Sequence, residues 1–233
     1  MRYTYLLLVM LFSSACEPVT ENENTDWPVY LGDSGRQHYS ALEQINRENV
    51  SQLEVAWVYN SGEVQGTMYT SPLVIDGVLY SLSPKLIAFA LDAATGEELW
   101  RYDPEISGAQ RGMMWWESDG QKRLFYTAGR ILIALNALDG TPVESFGDDG
   151  RLDLTPSGEE KGYMGVTVPG IVFEDKIILG FSTTEGTDAY PGSVRAFSAI
   201  DGELLWQFNT IPAQVDPGAE TWAEGSLEIA GGA

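Results

Sequence analysis

The sequence is poor in the residues that build disulfides, zinc sites and nucleophilic triads. Its 233 residues include one cysteine and one histidine, His38, so we expect no internal disulfide, no zinc site and no Ser-His-Asp triad. Basic residues are also scarce, because 13 Lys and Arg stand against 34 Asp and Glu, for a formal net charge of −21. A chain this acidic repels a phosphate backbone, which argues against nucleic acid as a partner.

Long hydrophobic runs are absent as well. The apolar run Leu6–Phe12 is too short to span a bilayer, and it follows Arg2 and precedes small residues that end at Cys16. This pattern predicts a signal peptide over residues 1–16 and an exported chain. The segment is similar to a bacterial lipoprotein signal, which implies a lipid anchor at Cys16, and the alternative is an ordinary cleaved signal. The polar residues 17–25 are expected to form a flexible tether.

What the sequence does contain is one phrase written three times. "ALDAATGEELW" begins at Ala90, "ALNALDGTPVESF" at Ala134 and "AFSAIDGELLW" at Ala196. Each copy follows two apolar runs separated by a short polar turn, as in "TSPLVIDGVLYSLS", "MMWWESDGQKRLFYTAG" and "PGIVFEDKIILGFS". Asp-Gly between apolar runs is typical of a β-hairpin, because glycine accepts the positive φ of a tight turn.

The phrase itself predicts a third strand, a turn and a fourth strand. The turn glycines are Gly96, Gly140 and Gly202, and the fourth strands are expected to end in Trp100, Phe146 and Trp206. Each unit is therefore a four-stranded antiparallel sheet. Sheets repeated at this period indicate the blades of a β-propeller; a β-sandwich or an up-and-down barrel is the alternative.

Three blades are predicted between about residues 64 and 208, with Trp100 and Trp206 buried between sheets. The strand "LEVAWVY" around Trp57 would add an N-terminal strand that belongs to a closing blade. Propellers close with roughly four to eight blades. The sequence therefore predicts an all-β, incomplete propeller and the first part of a longer protein.

Here a resemblance becomes specific. The phrase ending in Trp100, the entry segment "DWPVYLGDSGRQHYSALEQINRENVSQLEVAWVYNSGE" and the later "DPGAETW" resemble quinoprotein dehydrogenases, which use pyrroloquinoline quinone (PQQ). The resemblance implies that residues 26–233 form part of an eight-bladed propeller in the periplasm, with PQQ on its axis. Alcohol-type members carry adjacent cysteines beside the cofactor, and their absence near "SGAQRG" favours the glucose or sugar-type branch.

The resemblance also implies the chemistry. PQQ carries three carboxylates and needs cationic and hydroxyl partners, while a Ca²⁺ ion held by hard oxygen ligands polarises its reactive carbonyl. A carboxylate base takes the proton of a sugar or alcohol hydroxyl while a hydride moves to the quinone. The electrons then pass to a quinone or a cytochrome.

Motifs in this sequence that match motifs of the family imply some of these roles for individual residues. In "QRGMMWW", Arg111 would grip a PQQ carboxylate with two parallel hydrogen bonds. "GFSTTEG" would supply the remaining contacts, and Tyr69 stands where alcohol-type members have a glutamate. The implied contacts are Ser182 to a carboxylate, Thr183 and Thr184 through their backbone, Thr167 as a further cofactor contact, and Glu185 as a Ca²⁺ ligand. The catalytic base and the aromatic floor would lie beyond Ala233, so this chain alone is expected to be inactive.

A function of a different class, that of a non-catalytic protein, remains an alternative. Exported lipoproteins with PQQ-like repeats also act as non-catalytic scaffolds in outer-membrane assembly. Such a scaffold would keep the blades but has no reason to hold Arg111 and the segment 182–185 on one rim. His38, in the entry segment, is expected to be a surface residue under either hypothesis.

Overall fold

The computed structural model describes residues 26–63, 66–156, 162–184, 186 and 189–231. They form three four-stranded antiparallel sheets and one two-stranded ladder. The strands are β1 (Leu73–Ile75), β2 (Val78–Leu82), β3 (Ala88–Asp92), β4 (Glu98–Tyr102), β5 (Met114–Ser118), β6 (Gln121–Ala128), β7 (Ile131–Asn136), β8 (Arg151–Asp153), β9 (Met164–Gly165), β10 (Ile171–Phe173), β11 (Lys176–Leu179), β12 (Ser182–Thr183), β13 (Val194–Ser198) and β14 (Leu204–Phe208). Helix within the described residues is limited to α1 (Ser226–Ile229) and two 3₁₀ turns, Val50–Gln52 and Ala219–Thr221. Across the described ranges, none of these is long and apolar enough to cross a membrane.

The sheets follow the order of the chain, as blades do. Blade one is β1-β2-β3-β4, blade two is β5-β6-β7-β8, and blade three is β10-β11-β13-β14. In the first hairpin of blade one, the turn residues Asp76 and Gly77 have φ of 51° and 76°. In the first hairpin of blade two, Asp119 and Gly120 have φ of 50° and 76°. Two positive φ values make a type I′ turn, whose twist matches that of the strands it joins.

The innermost strands of the three blades are joined by backbone hydrogen bonds. The Ser71 amide, just before β1, donates to the Arg111 carbonyl at 2.9 Å, and the Arg111 amide donates to the Thr167 carbonyl at 3.1 Å. The first strands therefore gather around one axis and the fourth strands lie outside. This arrangement confirms the predicted incomplete propeller and excludes the sandwich and barrel alternatives.

The hydrophobic core lies between neighbouring blades rather than inside one closed sheet. One cluster of buried side chains joins blades one and two, and a second joins blades two and three. The alanines that begin the repeated phrase are fully buried, as their small size led us to expect: Ala90, Ala134 and Ala196.

Each blade is locked to the next by an aromatic residue that docks on a glycine. The Trp100 indole N–H donates to the Ala137 carbonyl at 3.0 Å, and its ring covers Gly140, where an added Cβ would lie 2.7 Å from Cδ2. Gly140 also has a φ of 73°, so both its conformation and its neighbour require glycine. Trp57 repeats this docking on Gly96 of blade one.

The middle copy of the phrase departs from the predicted pattern. Phe146 does not end a fourth strand: it lies outside any strand, fully buried, with its ring against Gly202, and β8 begins only at Arg151. The ladder is interrupted because Pro142, which has no N–H to donate, makes only an isolated bridge to Leu135. The predicted strand end was wrong, but the aromatic residue still docks on the next blade.

The Phe146 ring has no N–H, so it cannot donate a hydrogen bond to the next blade as an indole does. Arg123 donates to the next blade instead. Its guanidinium donates from Nη1 to the carbonyls of Ala199 at 2.8 Å and Ile200 at 2.6 Å. It also lies over the Trp116 ring at 5.0 Å. Blades two and three are thus joined at this point by a buried arginine.

Two expectations at the ends of the described stack are corrected. Trp206 is 41% exposed instead of buried, and it shares blade three's outer face with the exposed Ile171, Phe173 and Leu204. The reason is that the described residues contain no further sheet to cover this face. For the same reason, the segment around Trp57 pairs with no sheet in the described part of the chain, although its indole docks on blade one.

The entry segment crosses the inner edges of all three blades. Trp27 pairs with Val74 on the free edge of β1, with N···O distances of 2.6 and 3.1 Å. Tyr30 lies against Gly112 of blade two. Arg36 then donates from Nη2 to the Gly170 carbonyl of blade three at 3.2 Å. The segment therefore ties the inner strands together along the axis.

Candidate functional site

The sequence-predicted site residues that the structure describes lie at one end of the blades. Strands β1, β5 and β10 begin at this end, and because the sheets are antiparallel the β2–β3, β6–β7 and β11–β13 connections return to it. We call this end the rim. It carries Arg111 and Thr167 immediately before the first strands, and Ser182, Thr183 and Thr184 in the β11–β13 connection.

Arg111 and Thr167 meet directly, although they belong to different blades. The guanidinium Nη1 donates to Thr167 Oγ1 at 3.3 Å and lies 3.4 Å from the Thr167 carbonyl. The Arg111 side chain is exposed, so most of its donors face solvent. The pair therefore presents a positive charge and a hydroxyl together on the rim.

A buried polar network fixes the backbone beneath this pair. The Gln110 side-chain amide donates to Thr127 Oγ1 and lies 3.5 Å from the Val166 carbonyl, while its Oε1 accepts from the Arg111 amide at 2.8 Å. Thr127 Oγ1 donates in turn to the Val166 carbonyl at 2.7 Å. Buried polar groups satisfied in this way hold one geometry, and here they fix the residues on both sides of the Arg111–Thr167 contact.

Neither Gln110 nor Thr127 was singled out from the sequence. A signal was available for Thr127, because it is a polar residue within the apolar stretch "LFYTA" of β6. The structure shows that it is fully buried. Gln110 offered none, because its role depends on contacts with residues 17 and 56 positions away.

The second group of predicted residues lies on a short ribbon formed by β9 and β12. Ser182 is paired with Gly165, and Thr183 with Met164. Since Gly165 precedes Thr167 by two residues, the ribbon runs directly into the Arg111–Thr167 contact. The structure therefore brings the two predicted groups to the same part of the rim.

Thr184 is the least satisfied of these residues. Its amide donates to the Tyr163 carbonyl at 3.3 Å, but its buried Oγ1 has no hydrogen-bond partner among the described residues. A buried hydroxyl without a partner is costly, and such groups in folded proteins call for a specific explanation such as a ligand or a water. Glu185, the predicted Ca²⁺ ligand, lies outside the described residues.

The described residues do not assemble a metal centre by themselves. Within them there is no group of three or more His, Cys, Asp and Glu side chains placed to hold a metal ion. Tyr69 precedes β1 at the rim and is exposed. His38 is exposed, as expected.

Comparison with known proteins gives one family across nearly the whole described chain. Residues 27–232 match the family model for the β-propeller domain of PQQ-dependent glucose, ethanol and alcohol dehydrogenases. The chain is 32% identical to the quinoprotein glucose dehydrogenase of Escherichia coli K12, over 89% of this chain and 30% of that protein. It is 35% identical to the dehydrogenase subunit of the quinone alcohol dehydrogenase of Gluconobacter oxydans 621H, over 80% of this chain and 25% of that protein.

A solved structure similar to this chain is that of the quinohemoprotein alcohol dehydrogenase of Comamonas testosteroni. It is 30% identical, with a TM-score of 0.68, and the match covers 82% of this chain and 28% of that one. The chain thus spans less than a third of the length of these relatives.

Proposed function

The chain belongs to the β-propeller family of PQQ-dependent glucose, ethanol and alcohol dehydrogenases, and from that premise we propose that its rim is one wall of a PQQ site. The enzyme that contains it would oxidise a hydroxyl group of a sugar or an alcohol to a carbonyl or lactone. The observation that carries this proposal is the Arg111–Thr167 contact beside the ribbon of Ser182 and Thr183.

The donor set of the rim fits the cofactor. PQQ is flat and carries three carboxylates, so it needs positive charge and hydrogen-bond donors around its edge. Arg111 offers an exposed guanidinium that can grip a carboxylate with two parallel hydrogen bonds. The hydroxyls of Thr167 and Ser182 are further donors, and the buried Thr184 Oγ1, which has no hydrogen-bond partner among the described residues, is suited to a polar ligand.

This chain's residues would bind and orient, while the redox chemistry belongs to the cofactor. When bound, PQQ supplies a quinone that can accept a hydride from the carbon bearing the substrate hydroxyl. Arg111 and Thr167 would hold one carboxylate, and Ser182 would donate to another. The Gln110 network would keep the Arg111 backbone in place during turnover. None of these residues is placed to act as the base, so we assign no catalytic residue to this chain.

The proposed site also includes a metal ion. We assign Glu185 as a Ca²⁺ ligand on the family motif alone, and Ca²⁺ would need several further oxygen ligands. The described residues offer no cluster that could provide them. The ligand set must therefore be completed by residues other than those described.

Substrate, acceptor and location are also proposals. The relatives include both glucose and alcohol dehydrogenases, and we favour the sugar-type branch because adjacent cysteines are absent from the "SGAQRG" region. A quinone or a cytochrome would accept the electrons. The signal-like residues 1–16 support export to the periplasm, with Cys16 as a lipid anchor.

A PQQ titration of the complete protein from the native gene tests the proposal. Arg111→Met should weaken binding by roughly 10- to 100-fold, because a hydrogen bond to a charged group contributes about 1.5–3 kcal/mol. Arg101→Met is the matched control, since Arg101 is also exposed but lies on the outer strand β4. Binding would be followed by the absorbance change of PQQ in apoprotein.

Equal affinities for the wild type, Arg111→Met and Arg101→Met would contradict the proposed site. Absence of any PQQ binding by the complete protein would instead favour the scaffold alternative, because a scaffold needs the blades but no quinone.

A further inference from the structure

A buried arginine lies below the ribbon that carries Ser182 and Thr183. Arg195 is on β13, the third strand of blade three, and it is 6% exposed in an otherwise apolar stretch. Burial lowers its pKa to about 10, because desolvation disfavours the charged form. It is still a cation at neutral pH. A charge is buried only where specific contacts offset the loss of water, so the contacts of Arg195 indicate its role.

Those contacts join three separate segments. Nη1 donates to the Leu154 carbonyl, just after β8 of blade two, at 2.7 Å. Nη2 lies 3.3 Å from Met164 Sδ on β9. The guanidinium carbon is 3.7 Å from the centre of the Phe181 ring, immediately before β12. A desolvated cation–π contact of this kind is stabilising, because the negative face of the ring attracts the guanidinium.

The ribbon depends on such an anchor because it is very short. Strands β9 and β12 have two residues each and form only two residue pairs. Isolated two-stranded ladders are marginal in water even when they are longer. Arg195 contacts Met164 on one strand and Phe181 at the start of the other, so it holds both sides of the ribbon where blades two and three meet.

We propose that Arg195 is a positioning residue of the rim: it fixes the β9–β12 ribbon and so sets where Ser182, Thr183 and Thr184 meet the ligand. The inference deepens the proposed function and rests on it for the identity of the ligand. It does not place Arg195 in contact with the cofactor, because its guanidinium is occupied by the Leu154 carbonyl, Met164 and Phe181.

The chain provides a matched control in Arg123. Like Arg195, this arginine is buried, at 5% exposed, and lies over an aromatic ring; it donates to two backbone carbonyls, whereas Arg195 donates to one. It joins the same two blades. Its acceptors, Ala199 and Ile200, are in the β13–β14 turn, at the end of the blades opposite the rim. Loss of Arg123 should therefore weaken the blade interface without reaching the ribbon.

The experiment combines hydrogen exchange and PQQ titration on the complete protein. In Arg195→Met, amide exchange of residues 182–184 should rise at least tenfold, while exchange in β7 stays as in the wild type. The same variant should bind PQQ about tenfold more weakly. Arg123→Met should leave both quantities within twofold. Arg195→Lys keeps the charge and one donor but loses the flat stacking group, so it should fall between wild type and Arg195→Met.

The outcomes separate this inference from the proposed function. Unchanged exchange of residues 182–184 in Arg195→Met, or an equal rise in Arg123→Met, overturns the positioning role even if PQQ binds well. Raised exchange together with unchanged PQQ affinity supports the anchor but contradicts the rim as the cofactor site. If Arg195→Met does not fold, the same comparisons are made with Arg195→Lys, and wild-type values in that variant overturn the inference.

Discussion

The strongest test of the blade architecture compares two tryptophans at the same position of the repeated phrase. Trp100 and Trp206 are each the central residue of the fourth strand of their blade, in "EELW" of β4 and "ELLW" of β14. Trp100 is 8% exposed and docks on blade two, whereas Trp206 is 41% exposed. If docking on the next blade stabilises the fold, Trp100→Ala should be far more harmful to this 233-residue chain than Trp206→Ala.

The magnitude follows from the contacts of each side chain. Replacing a buried Trp by Ala costs about 3–5 kcal/mol through lost packing and the cavity left behind. The hydrogen bond from the Trp100 indole to the Ala137 carbonyl, 3.0 Å long, is lost as well and contributes about 1 kcal/mol. We therefore expect Trp100→Ala to lower the free energy of unfolding by about 4–6 kcal/mol. Trp206→Ala removes a half-exposed side chain and should cost about 1–2 kcal/mol.

Urea denaturation followed by far-ultraviolet circular dichroism measures both values, because the chain has too many tryptophans for fluorescence to be specific. Trp100→Phe is the intermediate variant, since it keeps an aromatic ring over Gly140 but removes the indole N–H. Equal losses for Trp100→Ala and Trp206→Ala would refute the docking argument. A loss in Trp100→Phe as large as that in Trp100→Ala would show that ring packing contributes little.

Three further outcomes are expected from the same structure. Gly140→Ala should be destabilised by at least 1 kcal/mol more than Gly120→Ala in urea denaturation, because both glycines have positive φ, at 73° and 76°, but only Gly140 lies under an indole ring; equal losses would contradict the close approach. Tyr126→Phe should unfold at the same urea concentration as the wild type or a higher one, since the buried Tyr126 hydroxyl has no hydrogen-bond partner among the described residues; a clear loss would reveal a partner. Burial raises the pKa of Tyr80 to about 12, so its contribution to stability is present below pH 10 and is lost as pH rises from 10 to 12. Thermal melts between pH 9 and about 12 should show a smaller alkaline decline in Tyr80→Phe, and an unchanged decline would rule out this tyrosine as the cause.

The repeated phrase predicted most of the fold because its residues have local roles. Gly96 and Gly140 are required by positive φ and by a ring that lies on them, and both requirements recur at a fixed place in each blade. The prediction failed at Phe146, where Pro142 interrupts the ladder and the chain needs several more residues to reach β8. It failed at Trp206 because burial depends on the next sheet, which a local motif does not contain.

The site was predictable only in part, for a related reason. Arg111 and Ser182 lie in short motifs that could be matched residue by residue. Gln110 and Arg195 act through contacts with residues 14 to 56 positions away in the sequence. A lone arginine in the apolar stretch "SVRAFSA" signalled that Arg195 was unusual, but not which segments it joins. Such positioning residues become visible only when the fold is known.

The rim can therefore be altered without dismantling the blades, and this separation makes the function testable. The Arg111 side chain is exposed and contacts Thr167, whereas the fold is held by docked aromatic rings and by buried residues such as Gln110 and Arg123. Exposed substitutions of this kind usually change stability by no more than about 0.5 kcal/mol. A loss of PQQ affinity in Arg111→Met would accordingly report on the ligand and not on folding. In a pure scaffold the same substitution should change the free energy of unfolding by no more than about 0.5 kcal/mol, and neither the wild type nor the variant should bind PQQ.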